Sequence, residues 1–155
     1  MHIGIGYDSH KFAFGRPLVL GGVTIPHTHG LVGHSDADAV THALIDALLG
    51  AAGAGDIGTR FPDTDPQWKG ADSIRMLNQV YLELVETGMS FVHADIVVIT
   101  EQPKLAGYID QMREKLAGAL VAGHSSVSVK AKTNEGMGFI GRGEGIAAIA
   151  VVLLE

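Results

Sequence analysis

IAAIAVVLL, residues 146–154, is apolar at every position. A half-exposed strand alternates polar and apolar residues, so a strand without alternation needs cover on both faces. Three further stretches read as strands around it. HIGIGY (residues 2–7) alternates apolar with small or polar residues, and SFVHADIVVIT (90–100) is rich in β-branched side chains. SSVSVKAKT (125–133) places Val127, Val129 and Ala131 on one face and Lys130 and Lys132 on the other.

Three helices are read between the strands. DADAVTHALIDALLGAAG (36–53) carries Ala39, Val40, Ala43, Leu44, Ala47 and Leu48 on one face, with Ser35 as its N-cap and Asp36 and Asp38 in its first turn. Asp72–Thr87 sets Ile74, Leu77, Val80, Tyr81 and Leu84 inward and stops at Gly88. Leu105–Val121 follows Pro103-Lys104 and ends near Gly123. Gly21-Gly22, between the short apolar runs of PLVLGGVTIP (17–26), signals a hairpin. The fold expected is α+β: a four-stranded mixed sheet with helices on one face, plus a small hairpin, in one domain spanning 1–155. Three helices cover one side of such a sheet and little chain remains for the other. Another subunit's sheet is the expected cover, hence a homo-oligomer.

Composition narrows the function. The 155 residues carry a net charge of −6 and no cysteine. Nucleic acid needs a basic face, so that partner is excluded, and any zinc must be held by nitrogen and oxygen. No signal peptide or membrane-length apolar run is read, so a cytoplasmic protein without a membrane partner is expected. The 21 glycines show no repeat, which assigns them to turns and tight loops. Among the loops are HTHGLVGH (27–34), DIGTRFPDTDP (56–66) and NEGMGFIGRGEG (134–145).

Asp8 and His10, two apart near the end of the first strand, point to one face and can grip one ion together. His42 sits in the first helix, in a stripe with Asp38 and Asp46 at four-residue spacing. Two histidines and a carboxylate are the three ligands a catalytic zinc keeps while leaving one position open. Taken singly, an Asp-x-His pair is more often turn or surface chemistry than a metal grip. His2, His27, His29, His93 and His124 lack a third partner at fixed spacing and are read as strand-end or loop residues.

The motifs resemble those of the 2-C-methyl-D-erythritol 2,4-cyclodiphosphate synthase family, nearly end to end. They are GYDSH (6–10), GHSDAD (33–38), His42-Ala43-Leu44 with DALLG (46–50), GDIGTRFPDTDP (55–66), Gly70-Ala71-Asp72-Ser73, Gln102-Pro103-Lys104, Lys130–Thr133, Glu135 and GFIGRGEGI (138–146). The resemblance implies a homotrimer whose sheets pack together, with active sites between neighbours. The implied reaction turns 4-diphosphocytidyl-2-C-methylerythritol 2-phosphate into the cyclic diphosphate and CMP, by internal phosphoryl transfer in non-mevalonate isoprenoid biosynthesis.

It further implies that Asp8, His10 and His42 bind Zn²⁺, or Mn²⁺ or Co²⁺, facing the β-phosphate. Glu135 would hold Mg²⁺ or Mn²⁺ on the diphosphate. His34 and Thr133 are the expected transition-state stabilisers, with Ser35 at a phosphate and Lys132 as cationic neighbour. Asp46 is a candidate to orient a histidine ligand, or else a plain helix-surface aspartate. Asp56, Ile57, Gly58, Phe61, Pro62, Asp63, Thr64 and Asp65 would form the methylerythritol pocket, Asp63 accepting from hydroxyls. Asp8, Ser9 and His10 complete the substrate contacts on the first strand. Cytidine would lie against Thr100, Glu101, Gln102, Pro103, Lys104, Leu105 and Ala106, read mainly by backbone groups. That segment departs from the family pattern around its proline, as do Asn134 and Gly136-Met137. Phe139 and Arg142 would lie near the phosphates and a central channel able to hold an isoprenoid diphosphate. Two other readings are a non-catalytic nucleotide- or isoprenoid-diphosphate-binding trimer and a metal-dependent phosphohydrolase.

Overall fold

The computed structural model describes residues 1–155. Its main sheet runs β4-β1-β7-β5-β6, with β1 His2–Phe14, β4 His29–Leu31, β5 Phe91–Ile99, β6 Val127–Lys132 and β7 Gly145–Leu154. β7 lies antiparallel between β1 and β5, and β5 and β6 are parallel, which makes the sheet mixed. The expected four strands are therefore five. The correction falls in the 27–34 loop, where Phe12↔Leu31, Ala13↔Gly30 and Phe14↔His29 pair because β1 continues far beyond Tyr7. β2 Leu18–Leu20 and β3 Val23–Ile25 form the hairpin read from the sequence. Gly21 and Gly22 at its turn both have positive φ, as a two-residue turn of this hand requires.

The helices are α1 Ala39–Ala52, α2 Ile57–Arg60, α3 Ser73–Glu86, α4 Ile109–Ala119 and α5 Gly138–Gly141. α2 and α5 are single turns inside stretches expected to be loops. α4 begins four residues later than expected, after a 3₁₀ turn at Ala106–Tyr108. α1 starts at Ala39, not Asp36, and its N-cap is Asp38 rather than Ser35. Ala37 has φ +58°, outside the helical region, and the Asp38 carboxylate accepts from the Thr41 N–H at 3.0 Å.

Asp38 does more than cap. It is fully buried and also accepts from the Thr41 hydroxyl and from the amides of Gly21 and Gly22, at 2.6, 2.8 and 2.7 Å. Burial pushes its pKa upward, against hydrogen bonds that favour the charged form. One carboxylate thus pins the hairpin turn to the start of α1.

α1 is buried almost all round, between β1 and β7 below and α3 above. α4 packs on β6 and against α3. The close seat of α1 depends on Gly4 and Gly6, which alternate with Ile3, Ile5 and Tyr7 along β1. A Cβ at Gly4 would lie 1.9 Å from the Ala47 carbonyl oxygen, and one at Gly6 would lie 1.9 Å from that of Ala43. The helix backbone rests directly on the strand, and that contact sets the site described next.

The opposite face of β1 is open: Ile3, Ile5 and Tyr7 are 74%, 70% and 54% exposed. They pair in register with Leu153, Val151 and Ile149 of β7. This is the apolar surface that the reading of residues 146–154 anticipates. No helix is long and apolar enough to cross a membrane.

Candidate active site

Asp8 and His10 share the face of β1 that carries Gly4 and Gly6, so both point toward α1, which delivers His42. Asp8 Oδ2 lies 2.7 Å from His10 Nε2 and 3.0 Å from His42 Nδ1, and the two nitrogens are 3.2 Å apart. These three atoms define a circle of radius about 1.7 Å, so all three could reach one ion at zinc bond lengths of roughly 2.0–2.2 Å. The donor set is nitrogen and oxygen only, suited to Zn²⁺, Mn²⁺ or Co²⁺. The residues fit such an ion.

Hydrogen bonding prepares the donors. His10 Nδ1–H donates to the Val32 carbonyl at 2.7 Å, which leaves Nε2 as a lone pair in the triad. His42 Nε2 is 2.8 Å from Ser73 Oγ and 3.0 Å from Ser35 Oγ. Burial opposes the charge on Asp8, but the two histidines beside it outweigh that effect and hold the carboxyl below its ordinary value. Burial likewise opposes charge on His10, and Asp8 reverses the balance and raises its pKa. Anion and ring nitrogens at these separations favour a positive species among them, either a proton or a metal ion.

The triad opens on a cavity of about 200 Å³. His34, Ser35, Ile57, Gly58 and Phe61 line it, as the resemblance implies, together with Trp68 and Met76. Those two escape a reading by motif, Met76 because it lies within the helix read over Asp72–Thr87, outside every quoted motif. Trp68 is the only tryptophan, which was the available signal. It stacks edge-on against Phe61 at 4.8 Å. His34 Nε2 donates to the Asp65 carbonyl at 3.3 Å.

The loop around the cavity is self-capped. Asp56 caps α2 through the Thr59 N–H at 2.7 Å, which lowers its pKa. Asp65 caps the 3₁₀ turn Pro66–Trp68 through the Gln67 N–H at 3.0 Å. Pro62 is half-buried, and Asp63 and Thr64 are exposed. Asp46 does not orient a histidine: its carboxylate accepts from the Ile57 N–H at 2.7 Å, and burial raises its pKa. Its place on α1 faces the start of α2, so this candidate role is corrected to holding the 56–60 turn.

A second cavity of about 200 Å³ lies at the carboxyl ends of the parallel strands β5 and β6. Thr100, Pro103, Lys104, Leu105, Ala106, Lys132 and Thr133 line it, and it shares no residue with the first. Thr100 donates to the Gln102 carbonyl, next to the cis Gln102–Pro103 bond. Glu101 accepts from the amides of Asn134 and Gly136 at 2.9 and 3.2 Å, tying this loop to the next. Thr133 Oγ1 donates to Glu135 at 3.0 Å. Ser9 lies on the other face of β1, beside Phe139 in a third depression. Arg142 is exposed and paired with Glu144 at 2.6 Å.

An α+β fold with three donor atoms able to hold one ion at a helix–strand contact, open to a cavity, has the layout of a metal-binding enzyme site. The family model described as the YgbB family matches residues 1–155, and the chain belongs to that family. Two relatives carry the name 2-C-methyl-D-erythritol 2,4-cyclodiphosphate synthase. That of Pelotomaculum thermopropionicum is 56% identical over 155 residues, covering 100% of this chain and 96% of the relative. That of Symbiobacterium thermophilum is 57% identical over 154 residues, covering 99% and 98%. A solved 2C-methyl-D-erythritol-2,4-cyclodiphosphate synthase in its CDP-bound form matches with TM-score 0.90 and 39% identity over 99% of both chains. The bifunctional IspDF from Campylobacter jejuni matches with TM-score 0.95 and 44% identity, over 99% of this chain and 42% of that one.

Proposed function

We infer that this chain is a 2-C-methyl-D-erythritol 2,4-cyclodiphosphate synthase enzyme of the non-mevalonate isoprenoid pathway, with Asp8, His10 and His42 as its metal ligands. The observation that carries the site assignment is the triangle of three donor atoms 2.7–3.2 Å apart beside a cavity. In the reaction, an oxygen of the substrate's 2-phosphate bonds to the β-phosphorus. The bond from that phosphorus to the bridging oxygen breaks, and CMP leaves with the electron pair. The nucleophile is already an anion, so the protein needs no strong base and contributes position and charge.

A divalent ion at the triad supplies Lewis acidity toward the β-phosphate. His34 and Ser35 line the same cavity and offer hydrogen bonds to phosphate oxygens. Asp63 accepts from polyol hydroxyls, and the 56–65 loop encloses the methylerythritol. Thr100–Ala106 receive cytidine at the second cavity; the CDP-bound form of a solved relative supports a cytidine nucleotide as the ligand class. Lys132 and Thr133 at the same cavity face the phosphates, and Glu135 offers a carboxylate for Mg²⁺.

The two cavities lie apart within one subunit, and the apolar face of Ile3, Ile5 and Tyr7 needs cover. Both features support a homotrimer in which the cavity of one subunit meets the strand-end loops of its neighbour. Phe139 and Arg142 then stand toward the trimer axis, where an isoprenoid diphosphate would fit. The test is ³¹P NMR of the purified protein with 4-diphosphocytidyl-2-C-methylerythritol 2-phosphate, Mg²⁺ and Zn²⁺, with and without chelator. CMP plus a coupled cyclic-diphosphate pair, lost on chelation, is expected. Linear phosphates would identify a phosphohydrolase instead.

A further inference from the structure

We infer, taking Asp8, His10 and His42 as the metal ligands proposed above, that Ser73 and Asp36 are positioning residues that set the tautomer of His42. Ser73 is the first residue of α3 and is fully buried. Its backbone N–H donates to Asp36 Oδ2 at 3.0 Å, and its hydroxyl donates to Asp36 Oδ1. A serine hydroxyl has one proton, and here a carboxylate takes it. Toward His42 Nε2, 2.8 Å away, Ser73 Oγ can therefore only accept.

That favours the hydrogen of His42 on Nε2, between two hydroxyl oxygens, in competition with Asp8, which would draw it to Nδ1. A neutral imidazole has one N–H, so Nδ1 is left as the bare lone pair that faces Asp8 Oδ2 at 3.0 Å. With the opposite arrangement, Ser73 would donate to Nε2 and the N–H would sit on Nδ1, inside the triad, where no ion could be bound. Ser35 Oγ, 3.0 Å from the same nitrogen, shares the donated hydrogen. The only other hydrogen bond of the Ser35 hydroxyl is a long one of 3.4 Å from the Ala37 N–H, which leaves its own proton uncommitted.

The arrangement is not needed to hold the segments together. Backbone hydrogen bonds from Asp36 N–H to the Ala71 carbonyl and from Gly70 N–H to the His34 carbonyl, at 3.1 and 2.8 Å, already join them. Asp36 and Ser73 add an anionic relay that makes His42 Nδ1 a stronger donor to a cation. His10 achieves the same end through the Val32 carbonyl, so each histidine has its own fixed partner.

The test uses metal-free, ¹⁵N-labelled protein at pH 8, in which long-range ¹H–¹⁵N spectra report the His42 tautomer. Co²⁺ affinity is measured beside it by competition with a chromophoric chelator. Wild type should show His42 protonated at Nε2 alone. Ser73→Ala should lose that single form and weaken Co²⁺ binding by about 10–100-fold. Asp36→Asn should do the same with Ser73 in place, because the freed hydroxyl can turn and donate to His42. Nδ1–H in wild type, or both variants keeping Nε2–H with unchanged Co²⁺ affinity, would overturn the inference. If Ser73→Ala does not fold, the wild-type spectrum and Asp36→Asn still decide. Wild type that binds no Co²⁺ would refute the metal reading, whereas the tautomer spectrum would still judge the relay.

Discussion

Replacing Gly6 with alanine tests how the helix–strand contact makes the metal centre. The new Cβ would stand 1.9 Å from the Ala43 carbonyl oxygen, 2.7 Å from the Ala47 nitrogen and 2.9 Å from the Asp46 Cβ. Two of these neighbours are backbone and cannot rotate away. Restoring ordinary contact at roughly 3.4 Å moves α1 off β1 by about 1.5 Å, an overpacking that costs about 1–3 kcal/mol. His42 adjoins Ala43 and travels with it, so its 3.0 Å separation from Asp8 opens to about 4.5 Å. Two metal–ligand bonds of about 2.1 Å span at most about 4.2 Å, so one ion can no longer join both residues. Co²⁺ affinity, titrated against a chromophoric chelator, should fall by more than the roughly 100-fold limit seen when only an outer hydrogen bond is lost. Gly118→Ala is the control: nothing lies within 4 Å of a Cβ there, in an exposed turn of α4. It should gain about 0.5–1 kcal/mol in thermal melts and leave metal binding alone. A folded Gly6→Ala protein that binds Co²⁺ like wild type would refute the reasoning.

Four further outcomes are expected. His42→Ala should abolish both Co²⁺ binding and CMP release in the ³¹P assay while circular dichroism stays native; turnover near wild type would remove His42 from the site. Asp38→Ala orphans the amides of Gly21 and Gly22 and removes the cap of α1, which should cost about 3–5 kcal/mol. At roughly 2–4 °C per kcal/mol, Tm should drop by about 10 °C or more. Asp63→Ala should raise KM far more than it lowers kcat, and an unchanged KM would take Asp63 out of the pocket.

The fourth is a pH profile of the metal-free protein, read as the Tm difference between wild type and His10→Asn. Asp8 is depressed below 3.8, so its contribution is present above that value and fades as pH falls through its folded pKa. His10 is raised above 6.5, so its contribution is full below that value and fades as pH rises through its folded pKa. The difference should be largest between the two and shrink as pH rises through the folded pKa of His10. Saturating Zn²⁺ should reverse the alkaline limb, because the ion needs deprotonated ligands. A metal-free difference that keeps growing as pH rises above 6.5 into the alkaline range would contradict the assigned pairing.

Local pattern made much of the architecture legible. Period-two spacing put Asp8 and His10 on one face, and the helical period identified α1 and α3 to within three residues at each end. Gly21-Gly22 announced its hairpin because only a positive-φ pair makes that turn. β4 was not legible: His29-Gly30-Leu31 is three residues with a glycine at its centre, and only pairing with Phe12–Phe14 makes it a strand. The cap of α1 was misplaced by three residues because Ser35 and Asp38 both suit the position. Asp38 occupies it, while the Ser35 hydroxyl turns to His42.

By itself, then, the sequence determined four of the five sheet strands, the hairpin and the three long helices, which donor types are present, and that one face of the sheet would stay apolar and open. These are matters of neighbours a few residues apart. Only the tertiary structure decided that three donors spread over 34 residues of chain meet within 3.2 Å, that Asp46 serves Ile57 instead of a histidine, and that Ser73 and Asp36 back His42. Those relations depend on how closely α1 settles on β1. That depth is set by the absence of side chains at Gly4 and Gly6, and its consequence appears only when the two elements touch.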